Sequence, residues 1–285
     1  MDKGIKRRNK TTLKAFRKDK FAIISAGFLV LIIVLSIIAP LLPLEATKTD
    51  VFHILEAPSK GHWFGTDEIG RDYFARVIYG GRVSITVGIL AMLMSTILGV
   101  AIGMISGFLG GIVDFILMRI VDVIQSIPWL ILVTVVSIFF KKGLVSIIVV
   151  IGFFSWMEIA RLVRAEVMSL KEREYIQYAS FLGIDTLKII NRHLIPAVMP
   201  TIIISATSGI ADAIMTESAL SFLGIGIQEP LSSWGKLLQA AQSNLQNSIY
   251  MALIPGLLIV FTIFAFNKLG NLLRIYLEPS KAVNS

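Results

Sequence analysis

Residues 171–196 read KEREYIQYASFLGIDTLKIINRHLIP, the polar heart of an interval, 161–196, that lies between long apolar runs. Glu174, Gln177, Tyr178 and Phe181 recur at helical spacing, and Gly183 follows where a helix takes its C′ glycine. Asp185 stands where a cap would open a second helix over 186–194, and Pro196 is expected to end it. The pattern predicts two short helices meeting at a glycine elbow, with Tyr175, Tyr178, Phe181, Leu182 and Leu187 as apolar side chains to bury. A plain link between helices needs only a few residues, so the length predicts an element offered to a partner. A connector packed on its own helix ends is the alternative.

Outward from this interval the chain is apolar. Of its 285 residues 55% are hydrophobic and 16% charged, and mean hydropathy is +0.78. A soluble domain must keep its surface wet and is rarely so apolar. A spanning helix needs roughly 20 mostly apolar residues. Six stretches qualify: 21–43, 83–109, 116–140, 144–160, 197–222 and 248–267. The expected fold is an all-α integral membrane protein with six transmembrane helices. Its expected parts are a basic tail, first helix and external loop over 1–82, a five-span block over 83–274, and a tail over 275–285. Pro128 and the Pro255-Gly256 pair are expected to kink or loosen their spans. Gly99, Gly103 and Gly107 leave one helix face nearly bare, as close packing in lipid requires.

Loop charge predicts the orientation. With the N-terminus inside, the inner segments carry eighteen Lys and Arg against eight outside, which favours both termini in the cytoplasm. The net charge of +8 is then topology, and nucleic acid is not an expected partner. The apolar stretch 21–43 exceeds the usual length of a cleavable signal and reads as a retained helix. With no cysteine, disulfides and thiol chemistry are excluded.

No enzyme is legible. G-x-x-x-x-G-K-S/T, G-x-S-x-G and H-E-x-x-H are all missing. His53 and His62 could meet in the outer loop, but two histidines read as loop residues, and no metal site is expected. Gly65, Thr66 and Asp67 with Gly70, Arg71 and Asp72 could build a rigid turn in which Asp and Arg pair. That turn either shapes an outer docking face or only staples the loop. Asp212 and Glu217 lie within the fifth span, where a charge at mid-bilayer costs roughly 2.5–3.5 kcal/mol. They either line a polar path through the protein or pair with Arg119 or cap a helix break. Arg119 and Asp122 are expected to form a local pair.

The interval 161–196 resembles the EAA loop of ATP-binding-cassette importer permeases. Aligned on Gly183, the triplet is Gln177-Tyr178-Ala179 and the terminal pair Ile195-Pro196, with His193 at a usually apolar position. Gln177 replaces the acidic residue and Tyr178 a small one, while Glu174 supplies a carboxylate one turn earlier. Two further stretches, HWFGTDEIGRDYFARVIYGGRVSITVG over 62–88 and ESALSFLGIGIQEPLSSWGKLL over 217–238, resemble the second permease subunit of dipeptide and oligopeptide importers, a family with nickel-transporting branches. Gln228, Pro230 and Ser233-Trp234-Gly235 follow its pattern; Glu229 and Ser232 stand where prolines are usual. The resemblance implies the type I importer permease fold, with Glu174, Gln177, Tyr178, Ala179, Gly183 and Pro196 coupling to an ATPase. It implies as partners a second homologous permease, two ATP-binding subunits, an extracellular or periplasmic peptide-binding protein, the peptide and membrane lipid. ATP and Mg would be used by the partner subunits, with no cofactor on this chain. The location implied is the bacterial cell membrane, and a secondary transporter is the rival class.

Overall fold

A computed structural model describes residues 19–140 and 142–277. Helix α1 is Lys20–Ile38, opened by Asp19, whose carboxylate accepts from the Ala22 amide and pairs with Lys268 at 2.6 Å. Pro40 then turns the chain through a short 3-10 segment, Ala39–Leu41. After a long loop, α2 (Tyr73–Leu109) starts ten residues before the apolar stretch does, because Asp72 caps it by accepting from the Ala75 amide at 2.8 Å.

The third apolar stretch does not form one straight span. Helices α3 (Gly111–Gln125) and α4 (Trp129–Phe139) are bent 88° from each other. Pro128 lacks the amide that would continue α3, and its ring forces Ile127 toward extended backbone. Among the described residues five helices are therefore long and apolar enough to cross a membrane, or six when the bent pair counts as one.

Helix α5 (Leu144–Lys171) extends eleven residues beyond the expected end at Ala160, so the polar interval begins as a projection of a spanning helix. Helices α6 (Glu174–Phe181) and α7 (Thr186–Ile189) form the elbow. Helix α8 (Ile195–Phe222) follows without a break, so Pro196 does not end the preceding helix. A π-turn, Ile190–Leu194, intervenes, in which the Ile195 amide reaches back to the Ile190 carbonyl. The wider turn leaves room for the proline ring in the next one. Helix α9 (Trp234–Ala241) and α10 (Tyr250–Leu277) complete the chain, and α10 runs continuously through Pro255-Gly256.

The pair α2 and α5 is the most extensive contact in the fold. A Cβ on Gly99, Gly103 or Gly107 would lie 2.6–2.8 Å from the backbone oxygens of Trp156, Ala160 or Arg164, or the Cβ of Ile159. The glycine face is thus filled by α5, running parallel to α2. In lipid no hydrophobic effect drives helices together, so this close backbone approach is a principal source of cohesion. Helix α8 crosses α2 in the opposite direction, with Gly88 against Ile214 and Gly209 against Met92. Two ends result: α1 starts, α2 and α5 finish, and the elbow sits at one, while the loop before α2 and the loop after α8 meet at the other.

Candidate functional site: an elbow at one end and a charged clamp at the other

At the elbow end, Gly183 adopts φ +71°, a left-handed conformation that favours glycine. The Gly183 amide bonds the Ser180 carbonyl at 3.0 Å and the Ile184 amide bonds Ala179 at 3.2 Å, the two bonds of a Schellman motif. Asp185 occupies the cap position just before α7, as expected, but its side chain makes no capping bond; its carbonyl accepts from the Lys188 and Ile189 amides instead. The elbow is anchored from inside. Ile176, Ala179, Ile189 and Leu194 are buried in a cluster with Val163, Val167 and Leu170 of α5 and Val198 of α8. Its outer side is bare. Phe181 is 87% exposed, and Tyr175, Tyr178, Leu182, Ile184 and Leu187 are exposed with it. Glu174 and Gln177 share that exposed side, with the Gln177 amide nitrogen 3.2 Å from the Glu172 carbonyl. The structure thus brings the elbow residues onto one anchored, apolar-faced unit.

At the other end the expected turn exists. Gly65 and Gly70 have positive φ, and Thr66 pairs with Asp72 in an antiparallel bridge. Asp67, fully buried, accepts from the amides of Ile69 and Arg71 at 3.0 and 2.9 Å. It pairs with Arg71 Nε at 2.6 Å, as expected, and also with Arg76 at 2.6 Å. Both guanidiniums then reach Glu229, Arg71 at 3.1 Å and Arg76 at 2.8 Å, while Arg76 lies 3.4 Å from the Ser232 hydroxyl. Two carboxylates and two arginines clamp the loop before α2 to the loop after α8. The residues that diverge from the proline pattern, Glu229 and Ser232, are those that touch the arginines. Arg76 escaped the sequence reading; its signal was a basic residue inside an otherwise apolar helix start.

Below the clamp lies a second tie. Glu217 is fully buried and accepts from the hydroxyls of Ser84 at 3.0 Å and Ser221 at 2.7 Å. Those hydroxyls in turn accept from the amides of Trp234 at 3.2 Å and Ile227 at 3.1 Å. One carboxylate thereby orients the start of α9 and the loop after α8. Trp234 fills the space over Gly81, and its ring nitrogen donates to the Val77 carbonyl at 3.0 Å. Glu217 and Asp212 do not act as a pair. Asp212 lies on an exposed face of α8, and neither carboxylate meets Arg119.

Two local expectations change. Arg119 does not pair with Asp122 but sits 5.3 Å from the Phe115 ring centre, while Asp122 meets Arg161 of α5. A separation of i, i+3 permits such a pair within a helix, but the neighbouring α5 supplies Asp122 with its cation. Arg164 of α5 likewise bonds Asp114 of α3, which also accepts from Ser106. His53 and His62 do approach, with ring centres 6.1 Å apart, but each turns to its own carboxylate, Asp50 and Asp72, both at 2.9 Å. The Asp50 bond raises the His53 pKa and lowers that of Asp50. Among the described residues no three His, Asp or Glu side chains converge as a metal site would require.

An anchored elbow with a bare apolar face, joined through continuous apolar helices to a clamped opposite end, defines a multi-pass membrane protein. Comparison with known proteins agrees. Residues 99–283 match the family described as binding-protein-dependent transport system inner membrane component, and residues 9–58 match the N-terminal TM domain of oligopeptide transport permease C. The chain belongs to the binding-protein-dependent transport system inner membrane components. The oligopeptide transport system permease protein OppC of Escherichia coli (strain K12) is 40% identical, over 93% of this chain and 89% of that protein. OppC of Bacillus subtilis (strain 168) is 37% identical over 95% and 89%. The dipeptide transport system permease protein DppC of the same Bacillus is 37% identical over 93% and 84%. Among solved structures, a chain of the MetNI methionine ABC transporter, in inward-facing conformations, superposes with a TM-score of 0.55. It is 17% identical and covers 70% of this chain and 97% of its own. The fold is therefore the all-α type I importer permease fold.

Proposed function

We propose that this chain is a permease subunit of an ATP-driven importer of dipeptides and oligopeptides in a bacterial cell membrane. It forms half of the pathway, and a second, homologous permease forms the other half. Two separate ATPase subunits bind ATP and Mg and hydrolyse the nucleotide; this chain holds no cofactor. Relatives at 37–40% identity named for oligopeptide and dipeptide transport support the substrate class. The loop-charge asymmetry supports an elbow end in the cytoplasm together with both termini, and a clamp end facing an extracellular or periplasmic peptide-binding protein.

The observation that carries the reading is the two-sided elbow. Ile176 and Ala179 bind it to the spans, while Phe181 and Leu187 stay bare for an ATPase groove. ATP-driven closure of the ATPase pair would move that groove, and the rigid elbow would pass the displacement to α5 and α8. ATP biases the two access states only through contacts that differ between them. A secondary transporter would leave the elbow's bare face without an occupant.

The test is uptake of a labelled oligopeptide in cells lacking the gene, competed with dipeptides, longer peptides and nickel. Uptake is expected to be lost and restored by the intact gene. Unchanged peptide uptake with loss of nickel uptake would place the protein in a metal branch instead.

A further inference from the structure

Beside the clamp a cavity of about 910 Å3 opens between the first third of α2, residues 44–48, Leu144 at the start of α5, and residues 230–232. Such a volume falls within the range of small-molecule sites, roughly 300–1,000 Å3. Its wall at 230–232 is held by the clamp through Glu229, and apolar surface comes from Val83, Leu144 and Leu231.

Its charges are unequally satisfied. Lys48 pairs with Glu45 at 2.9 Å, and Arg76 is saturated by Asp67 and Glu229. Arg82 is exposed and has no carboxylate partner among the described residues. One turn earlier, Tyr79 also lines the cavity, and among the described residues its hydroxyl has no hydrogen-bond partner. One turn later stands Thr86, whose hydroxyl donates to the Arg82 carbonyl at 2.7 Å and keeps its oxygen free to accept. Positions 79, 82 and 86 share one helix face, so a guanidinium fork, a phenol donor and a hydroxyl acceptor line up along one wall.

We propose that this cavity receives the C-terminal carboxylate of the transported peptide, bound by the Arg82 guanidinium and the Tyr79 hydroxyl. The inference rests on the peptide-importer reading and adds a substrate contact to it. A planar guanidinium matches a carboxylate through two parallel bonds, and a hydroxyl donor on the same wall completes the site. A lipid headgroup phosphate would satisfy the same donors, and the experiment below separates the two sources.

The test uses the complete transporter, with its partner subunits, in vesicles. Arg82 is modified with phenylglyoxal and mapped by mass spectrometry in the presence of a tripeptide or the same tripeptide as its C-terminal amide. Protection by the free acid and not by the amide is expected. In uptake, Arg82→Gln is expected to raise the half-saturating concentration of the free-acid peptide about tenfold, the scale of a charge-assisted bond in a wet site, with Arg82→Lys in between. Equal protection by both peptides, or by neither, overturns the proposal. Protection that follows the anionic lipid content of the vesicles and ignores peptide assigns Arg82 to headgroups and overturns it as well. Failure of the wild type to transport any peptide would instead break the importer reading on which the site depends, while Arg82 protection reads peptide binding directly and separates the two failures.

Discussion

Asp67 accepts from two buried guanidiniums and two backbone amides, so its loss would strand two cations out of water. Breaking a buried pair in this way typically costs about 3–5 kcal/mol. Glu229 touches the same arginines but is 47% exposed, and water can replace it, so its loss should cost no more than about 1 kcal/mol. Asp67→Asn should therefore lower the thermal unfolding midpoint far more than Glu229→Gln does, a ranking that unfolding of the purified protein can read. An equal drop would mean that the two carboxylates share the load. Asp67 and Arg71 were legible as a turn pair from their spacing. Glu229 was legible only as a departure from pattern, because its partners lie 153 and 158 residues away.

Among the elements, spans were the easiest to read and their ends the hardest. Apolar runs define where a helix can sit in lipid, but not how far it continues into water. Helix α5 continues because Arg161 and Arg164 find Asp122 and Asp114 on α3, which no local pattern reports. Helix α9 leaves no sign in the apolar pattern, although Ser233 caps it and Trp234, Leu237 and Ala241 share its buried side. Its eight residues are too few for periodicity to stand out. Pro196 misled for the opposite reason: a strong breaker signal was absorbed by a π-turn. The glycine face of α2 was read correctly, and it makes a sharp prediction. Gly103→Val places a branched side chain where a Cβ alone already lies 2.6 Å from the Ala160 carbonyl. Overpacking of this kind costs about 1–3 kcal/mol. The expected result is a lower unfolding midpoint and reduced assembly. Gly27→Val, at a site with nothing within 4 Å, serves as the control.

For the whole molecule, the two ends must communicate if a cytoplasmic ATPase is to open a pathway. The rigid links are α5 and α8, which both reach the elbow and both pack on α2. Asp212 stands on an exposed face of α8, where a charge in contact with lipid would be costly. Under the proposed function that face would turn toward the pathway or the second permease. Asp212→Asn should change the relative uptake of cationic and neutral peptides while insertion is preserved; loss of insertion would give the residue a structural role. Membership of the permease class was legible from three motifs in order, whereas the clamp and the serine ties to Glu217 emerge only when the helices are in place.

If coupling runs through the elbow as proposed, Gly183 is the residue whose replacement should break it. Within this chain a Cβ there meets nothing within 4 Å, so inside the subunit a substitution acts through the positive φ. Asn tolerates that conformation, whereas a β-branched residue is strained in it. The measurement is peptide taken up per ATP hydrolysed by the reconstituted transporter bearing Gly183→Val or Gly183→Asn. The expected result is a ratio near wild type for Asn and a fall of about tenfold or more for Val, with hydrolysis continuing, since a strain of roughly 1–2 kcal/mol is enough to displace the bend. A wild-type ratio for Val, with the elbow strained and transport undisturbed, would contradict it.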